Sequence, residues 1–584
     1  ADDQQQRCAD NQILLEQYLY PLSSNPALLS DEGYDLLLSF CRDFYYSNYT
    51  EPALLIRIID ILLPHYEDRS DTESLLFLYI CAGFSYMELS RTGEPTSRDK
   101  TIYFYTKVLS YRDQIEFFES AASRDYIFIA YYNLIRVAPG LGILDIETAY
   151  RLWEELCQIR TMPKFCQYDT TNPRIPQLCD CAINDFRAYG AVLNVERVIA
   201  PSAILSSLEN MTQIYYSEIL HEHGSIYECP AFTVFNYHYV QARNGTITWE
   251  AAWQILDDYY VHKMQTIGQV SSPDLLAFYT NLPLNLIDVL GHTHFKEEFK
   301  QATYRRYRNL ITSYLMNQPA SLNSYTLNNG VQLVAFHPLI LGTFQHRMEK
   351  MNFIVDLVVT RHLTTFTHSV MVSYLAEAIG KHILAARPEL LRIPSSYLEG
   401  NVYASPAEVL DYIVPAALFH DIGKNGMIPI INTQHRKLND YEFNIIQTHP
   451  QKGSDYLSSD PDFLIYQPVA LGHHRSYDGT RGYPLSFDNT ASPYRDAIDL
   501  IHICDCLDAA TDYLSRNYHR AKPFDVVLNE LKAGRGTEYN PDMVDVILSD
   551  RELYNDLKML TEQNRENIYY DIYLTFVNLR KKRQ

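Results

Sequence analysis

An all-α fold is predicted by three observations: glycine is scarce, apolar residues recur at helical spacing, and short polar or Pro/Gly breaks separate the periodic segments. Glycine supplies 22 of 584 residues, about half its usual share, which leaves few tight turns for hairpins. The first half then reads as consecutive amphipathic helices. One runs through Tyr126, Ile129, Ala130, Asn133 and Leu134 and stops at Ala138-Pro139-Gly140, since proline and glycine end helical patterns. The next follows a capping signal at Asp145 and puts Ile146, Ala149, Tyr150, Trp153, Leu156 and Cys157 on one face. Another begins after Thr248 with Trp249, Ala252, Trp253, Leu256 and Tyr260. Helices joined by short breaks predict either stacked pairs, as in repeat arrays, or a helical bundle. The 47 tyrosines suit half-buried interfaces in either, the ring packed and the hydroxyl wet.

A chain this long exceeds what one hydrophobic core supports, so two or three domains are expected. The periodic pattern falters between Met316 and Pro338. That divides the chain into an all-helical regulatory or interaction region, 1–335, with room for two subdomains, and a second region, 336–584. In the second, a long helical stretch resumes near Gln345 and runs into Thr364. A net charge of −22 and a pI near 5.3 argue against binding polymeric nucleic acid. The basic run Arg580 to Arg583 reads as a solvated helix end. No apolar run is long enough for a membrane span, and no signal-peptide pattern opens the chain. The ten cysteines lack CxxC pairing, so they read as reduced thiols of a cytoplasmic protein. The start at Ala1 rather than Met leaves room for a removed N-terminal piece.

The chemistry concentrates in the second half. His368 precedes an apolar-periodic helix through Leu375 and Ile379. The apolar run Ala416 to Phe419 ends in His420-Asp421-Ile422-Gly423-Lys424, where glycine lets the chain turn at once. His449 stands in Thr448-His449-Pro450. His473-His474 opens a segment ending in Gly482-Tyr483-Pro484, and Asp505 lies inside the apolar stretch Ile498 to Ala510. A single buried histidine is usually a satisfied core residue, and an isolated His-Pro a helix end. An aspartate in an apolar helix is rarer, because a buried carboxylate without a partner is costly. Five histidines and two aspartates at the ends or inner faces of successive helices exceed the needs of one tetrahedral zinc. They suit two octahedral-like cations bridged by a carboxylate, and imidazole with carboxylate but no thiolate fits Fe, Mn or Zn.

These residues resemble the HD phosphohydrolase superfamily and, within it, the HD-GYP subgroup, over roughly residues 350 to 550. The match comprises His368, His420-Asp421 in an HDIGK motif, His449 in an HP motif, His473-His474, Gly482-Tyr483-Pro484 and Asp505. Arg516 to Ala521 resembles the subgroup's RPYR-type segment, and Gly536 to Pro541 its closing G-x-x-F-D-P turn. The resemblance implies a compact HD-GYP-type helical bundle with two or three divalent cations, usually iron or manganese. It also implies hydrolysis of a cyclic dinucleotide, chiefly cyclic di-GMP, to a linear dinucleotide or mononucleotides by a metal-bridging hydroxide. Carried over by position, His368, His420, Asp421 and Asp505 would be core metal ligands, with Asp421 bridging. His449, His473 and His474 would bind the second metal. Lys424 would meet a substrate phosphate and assist the leaving oxygen, and Tyr483, Arg516 and Arg520 would lie on the substrate side. The two arginines read equally well as exposed residues of a helix. A third metal would need an upstream acid, for which Glu349 and Asp356 are candidates, though both read first as helix-surface acids.

Three departures fall on the substrate-facing loops. Arg475 stands where the pattern usually has glutamate, Arg481 is an extra residue before Gly482, and Asn517 and His519 alter the RPYR-like segment. Two alternatives follow: a metal-retaining, non-catalytic cyclic-dinucleotide receptor signalling through the first half, or an HD-type nucleotidase. The first half carries no comparable ligand cluster, so it is expected to bind a protein partner or to form a homodimer.

Overall fold

A computed structural model describes residues 6, 9–13, 15–19, 21, 29–46, 51–92, 96–117, 121–162, 174–191, 202–266, 273–318, 325–359, 361, 363–395, 402–427, 438–514 and 521–581. Among these the protein is all-α, with isolated bridge pairs but no sheet, and no helix is long and apolar enough to cross a membrane. It divides into two compact units, Ile13–Thr303 and Tyr304–Gln584, the latter joined by Ala1–Gln12.

In the first unit Pro52–Arg69, Thr72–Ser90 and Ser97–Leu109 pack one on the next. Asp71 caps the second of these, accepting from Ser74 N at 3.2 Å. The helix Ile146–Arg160 starts where the sequence places it, with the Asp145 carboxylate accepting from Thr148 N at 2.8 Å. Trp249–Thr266 starts beside Thr248, whose hydroxyl accepts from Ala251 N. The helix through Tyr126 differs in detail: Ala121–Tyr132 continues through a wider π-turn, Asn133–Val137, before ending at Gly140. Several tyrosines also differ from expectation. Tyr105, Tyr131 and Tyr259 are fully buried, and their hydroxyls pair with Asn133 Nδ2, Glu155 and the Cys229 carbonyl. A buried hydroxyl needs such a partner, because leaving it unpaired costs about 1–3 kcal/mol.

The second unit contains α1 (Tyr325–Ala335), α2 (Arg347–Val359), α3 (Leu363–Ala386), α4 (Pro406–Phe419), α5 (Asp440–Ile446), α6 (His449–Leu457), α7 (Gln467–Gly472) and α8 (Arg495–Thr511). It continues with α9 (Phe524–Ala533), α10 (Pro541–Ser549), α11 (Arg551–Lys558) and α12 (Arg565–Lys581). The stretch expected from Gln345 to Thr364 is two helices, α2 and α3, and His368 lies in the second turn of α3 rather than ahead of it. The long helix α3 packs along α4 and α8, burying Leu375, Ile379 and Ile383 at about 1.5–3 kcal/mol of transfer free energy each. A capping box, Ser405 with Glu408, and Pro406 in the first turn set the start of α4. The α4 N-terminus thus fixed, its far end delivers His420 to the inner face of α3.

Candidate metal centre

Three of the histidines sit where a helix begins or ends, and each is oriented by a backbone carbonyl one turn away. His420, at the end of α4, points Nδ1 at Ala417 O, 2.6 Å away. His449 opens α6 and points Nδ1 at Ile446 O, also 2.6 Å. His473 closes α7, with Nδ1 2.9 Å from Ala470 O. A carbonyl oxygen only accepts, so Nδ1 holds the proton in all three and the Nε2 lone pair is left facing inward. His368, from α3, does the same with a carboxylate: its Nδ1 donates to Asp508 Oδ2 at 2.6 Å.

The inward nitrogens converge on acceptors. His449 Nε2 and His473 Nε2 are 3.1 Å apart, lone pair against lone pair. His368 Nε2 is 3.0 Å from Asp505 Oδ1. His420 Nε2 is buried without a hydrogen-bond partner, 3.5 Å from Asp421 Oδ2. These juxtapositions repel unless positive charge lies among them. Protons on His420 and His449 do not supply it near neutral pH, because burial pushes His420 down to about 3 and His449 down to about 4. Divalent cations do fit, and the donor set of imidazole and carboxylate is one that Fe, Mn and Zn accept.

Two ligand groups result, Asp421, His449, His473 and His474 in one and His368, His420 and Asp505 in the other, each with its donor atoms within 4.8 Å of one another. Asp421 stands between them. Its Oδ1 lies 3.1 Å from His449 Nε2 and 3.5 Å from His473 Nε2, while Oδ2 lies 3.5 Å from Nε2 of both His368 and His420. Burial alone would raise this carboxyl, but Lys424 and the imidazoles hold it well below the usual carboxylate range. The same opposition, with His368 the main counterweight to burial, keeps Asp505 ionised. His474, partly open at 21% side-chain exposure, has Nδ1 3.6 Å from Asp505 Oδ2.

Close backbone contacts explain the motif glycines. A Cβ on Gly423 would lie 1.9 Å from His449 O, so only glycine lets the turn after Asp421 touch the start of α6. Gly482 has φ +87°, and a Cβ there would lie 1.8 Å from His474 O. The Tyr483 ring lies beside that of His474, tilted 33° to it with centroids 4.6 Å apart. Lys424 Nζ lies 2.5 Å from Asp421 Oδ2 with its side chain 17% exposed. The two unusual arginines both hold this loop. Arg475 is buried and donates to the carbonyls of Gly479 and Gly482. Arg481 pairs with Glu538 at 3.1 Å, in the closing turn. Arg516 and Arg520 lie outside the described residues. Glu349 caps the start of α2 by accepting from Gln345 N and His346 N, and neither it nor Asp356 belongs to the ligand groups found among the described residues.

Sequence reasoning missed three residues behind the ligands. Asp508 holds His368. His502 is buried, donates Nδ1 to His473 O at 2.6 Å and places Nε2 3.3 Å from Glu538; burial lowers its pKa, yet Glu538 and the His473 carbonyl hold it above the ordinary value. Arg565 is the third and lies against Asp508. A signal for Asp508 was present, an acid three residues beyond Asp505 in the same apolar helix, whereas Arg565 left none.

Residues 365–516 match the family model described as HD domain. Among curated proteins the chain is similar to a cyclic di-GMP phosphodiesterase of Vibrio cholerae serotype O1, with 26% identity over 303 residues, 47% of this chain and 60% of the relative. It is similar to the cyclic di-GMP phosphodiesterase response regulator RpfG of Xanthomonas campestris pv. campestris, 33% identical over 146 residues, 25% of this chain and 37% of the relative. A 3'3'-cGAMP-specific phosphodiesterase 2 of Vibrio cholerae is 25% identical over 203 residues, 34% of this chain and 37% of the relative. The chain thus spans 60% of the length of the first relative and 37% of each of the other two. The HD-domain match lies directly over the ligand groups of the second unit.

Proposed function

We propose that this chain is a metal-dependent phosphodiesterase that hydrolyses a cyclic dinucleotide, cyclic di-GMP first among them, at the His/Asp centre of its second unit. The observation that carries this reading is the convergence of four imidazoles, each with Nδ1 tied down, on two buried carboxylates. His368, His420 and Asp505 would hold one cation and His449, His473 and His474 the other, with Asp421 shared. Iron or manganese is the expected metal, with zinc also accommodated. When bound, two such cations supply an activated water near neutral pH and offset charge on the phosphoryl oxygens. The chain's own groups do the rest. Lys424 holds a proton at Nζ, at the solvent edge of Asp421, where it can serve the departing ester oxygen. Tyr483 offers a ring face beside His474 on which a base can stack. Arg516 and Arg520 are proposed to take a second phosphate, bidentate contact being the strength of arginine.

Residues 1–335 are proposed as a regulatory or interaction region, acting through a protein partner or a second copy, in the cytoplasm. The hydrolase reading is favoured over a receptor by the complete ligand set with Lys424, and over a nucleotidase by the paired histidines with Gly482-Tyr483-Pro484. Its test is to purify the chain anaerobically, quantify Fe, Mn and Zn, and follow cyclic di-GMP and 3'3'-cGAMP by chromatography. Conversion to a linear dinucleotide or mononucleotides is expected. A metal-replete protein that binds a cyclic dinucleotide and leaves it intact would be a receptor instead.

A further inference from the structure

A fully buried arginine is unusual in a soluble protein, because its charge is desolvated and must be met on every side. Arg565, at the first position of α12, is one, with 0% of its side chain exposed. Its Nε donates to Thr561 O at 3.0 Å, and Nη2 donates to Thr511 Oγ1 at 2.8 Å. Nη1 lies 2.8 Å from Asp508 Oδ1, 3.5 Å from Asp512 Oδ1 and 3.3 Å from the Tyr569 hydroxyl. Asp508 is equally buried, and its two oxygens serve different partners: Oδ1 meets Arg565, and Oδ2 accepts from His368 Nδ1 at 2.6 Å. A continuous chain of contacts therefore runs from α12 through α8 to a candidate ligand on α3.

We propose that Arg565 is a positioning residue for the metal centre, acting through Asp508 to fix the tautomer and ring orientation of His368. The guanidinium, 2.8 Å from Oδ1, holds the Asp508 carboxylate in place with Oδ2 aimed at His368. The carboxylate in turn keeps the proton on His368 Nδ1, so that Nε2 presents a lone pair toward Asp505 and Asp421. A simple core ion pair that docks α12 would need no such division of the carboxylate between arginine and imidazole. The consequence is that the chain's last helix is part of the site. Asp508→Asn isolates the effect with little change of shape. An amide has one acceptor oxygen, and the fixed positive charge of Arg565 claims it. The NH₂ then faces His368 Nδ1, which must accept, so the proton moves to Nε2 and blocks ligation.

This inference rests on the metal-centre reading, and one experiment separates the two. The metal-stripped full-length chain is titrated with Mn²⁺ by equilibrium dialysis, for wild type, Arg565→Met, Arg565→Lys and Asp508→Asn, with the melting temperature of each recorded. Wild type is expected to bind two Mn²⁺; fewer would defeat the metal-centre reading itself. Arg565→Met and Asp508→Asn are expected to weaken one site about 10–100-fold and leave the other near wild type, with Arg565→Lys intermediate. Should Arg565→Met not fold, Asp508→Asn carries the test. Wild-type affinity at both sites in a folded variant, or equal weakening of both, overturns the positioning role.

Discussion

Replacing Gly423 with alanine puts a methyl group where the turn after Asp421 meets the first residue of α6. The new Cβ would stand 1.9 Å from His449 O and 2.5 Å from Gly453 N, whereas ordinary contact begins near 3.4 Å. Both obstacles are backbone atoms, so no side chain can swing aside. Either α6 or the Ile422–Gly426 turn must retreat by about 1.5 Å, the difference between those first and last distances. Metal–ligand distances tolerate only about 0.2 Å, so His449 and Asp421 cannot both stay in one coordination sphere. Overpacking of this kind costs roughly 1–3 kcal/mol of stability, and the metal at the Asp421, His449, His473 and His474 group should be lost first. The assay is metal per chain by mass spectrometry beside a thermal melt. A Gly423→Ala protein with a full metal complement and an unchanged melting temperature would refute the packing argument.

Lys424→Met should lower turnover by about 10²–10⁴-fold with metal content intact; loss of metal as well would make the lysine structural. Tyr483→Leu should raise KM for cyclic di-GMP about 5- to 150-fold, the equivalent of about 1–3 kcal/mol of lost stacking. Turnover at saturating substrate should be little changed, and a fall in kcat as large as the rise in KM would contradict the assignment. Asp499 gives a pH signature. Burial lifts its carboxyl from 3.8 to about 7, so the folded chain keeps a proton that the unfolded chain releases near pH 4. Its contribution to stability is full below about pH 4 and is lost as pH rises through about 7, on the order of 4 kcal/mol at most. Asp499→Asn should therefore resist urea better than wild type at pH 8 and equally at pH 4, and a parallel pH profile would count against the buried acid.

The ligand residues were legible because each carries a local mark: His420 follows an apolar helix, His449 precedes proline, and Asp505 is a carboxylate inside a largely apolar helical stretch. Their orientation was not legible. It depends on carbonyls at Ala417, Ile446 and Ala470, and every residue has a carbonyl. The break that starts α3 at Leu363 was also hidden, since apolar spacing runs on across it. Arg475 and Arg481 were visible only as departures. Their use, closing the loop through Gly479, Gly482 and Glu538, exists only once the 474–483 segment has folded against the 534–540 turn. Arg565 and Asp508 show the same limit more sharply. The contact of Asp508 with His368 spans 140 residues of chain, and no periodicity within a helix encodes a pairing at that distance.

Whether the two ligand groups act as one hydrolytic centre is decided by stepwise reconstitution. Metal-stripped protein receives Mn²⁺ in fractions of an equivalent, and cyclic di-GMP turnover is recorded at each step. Little turnover is expected through the first equivalent and a steep rise with the second, because Asp421 would serve both groups. Turnover that is full in the stripped protein, or absent with both cations bound, would contradict that expectation.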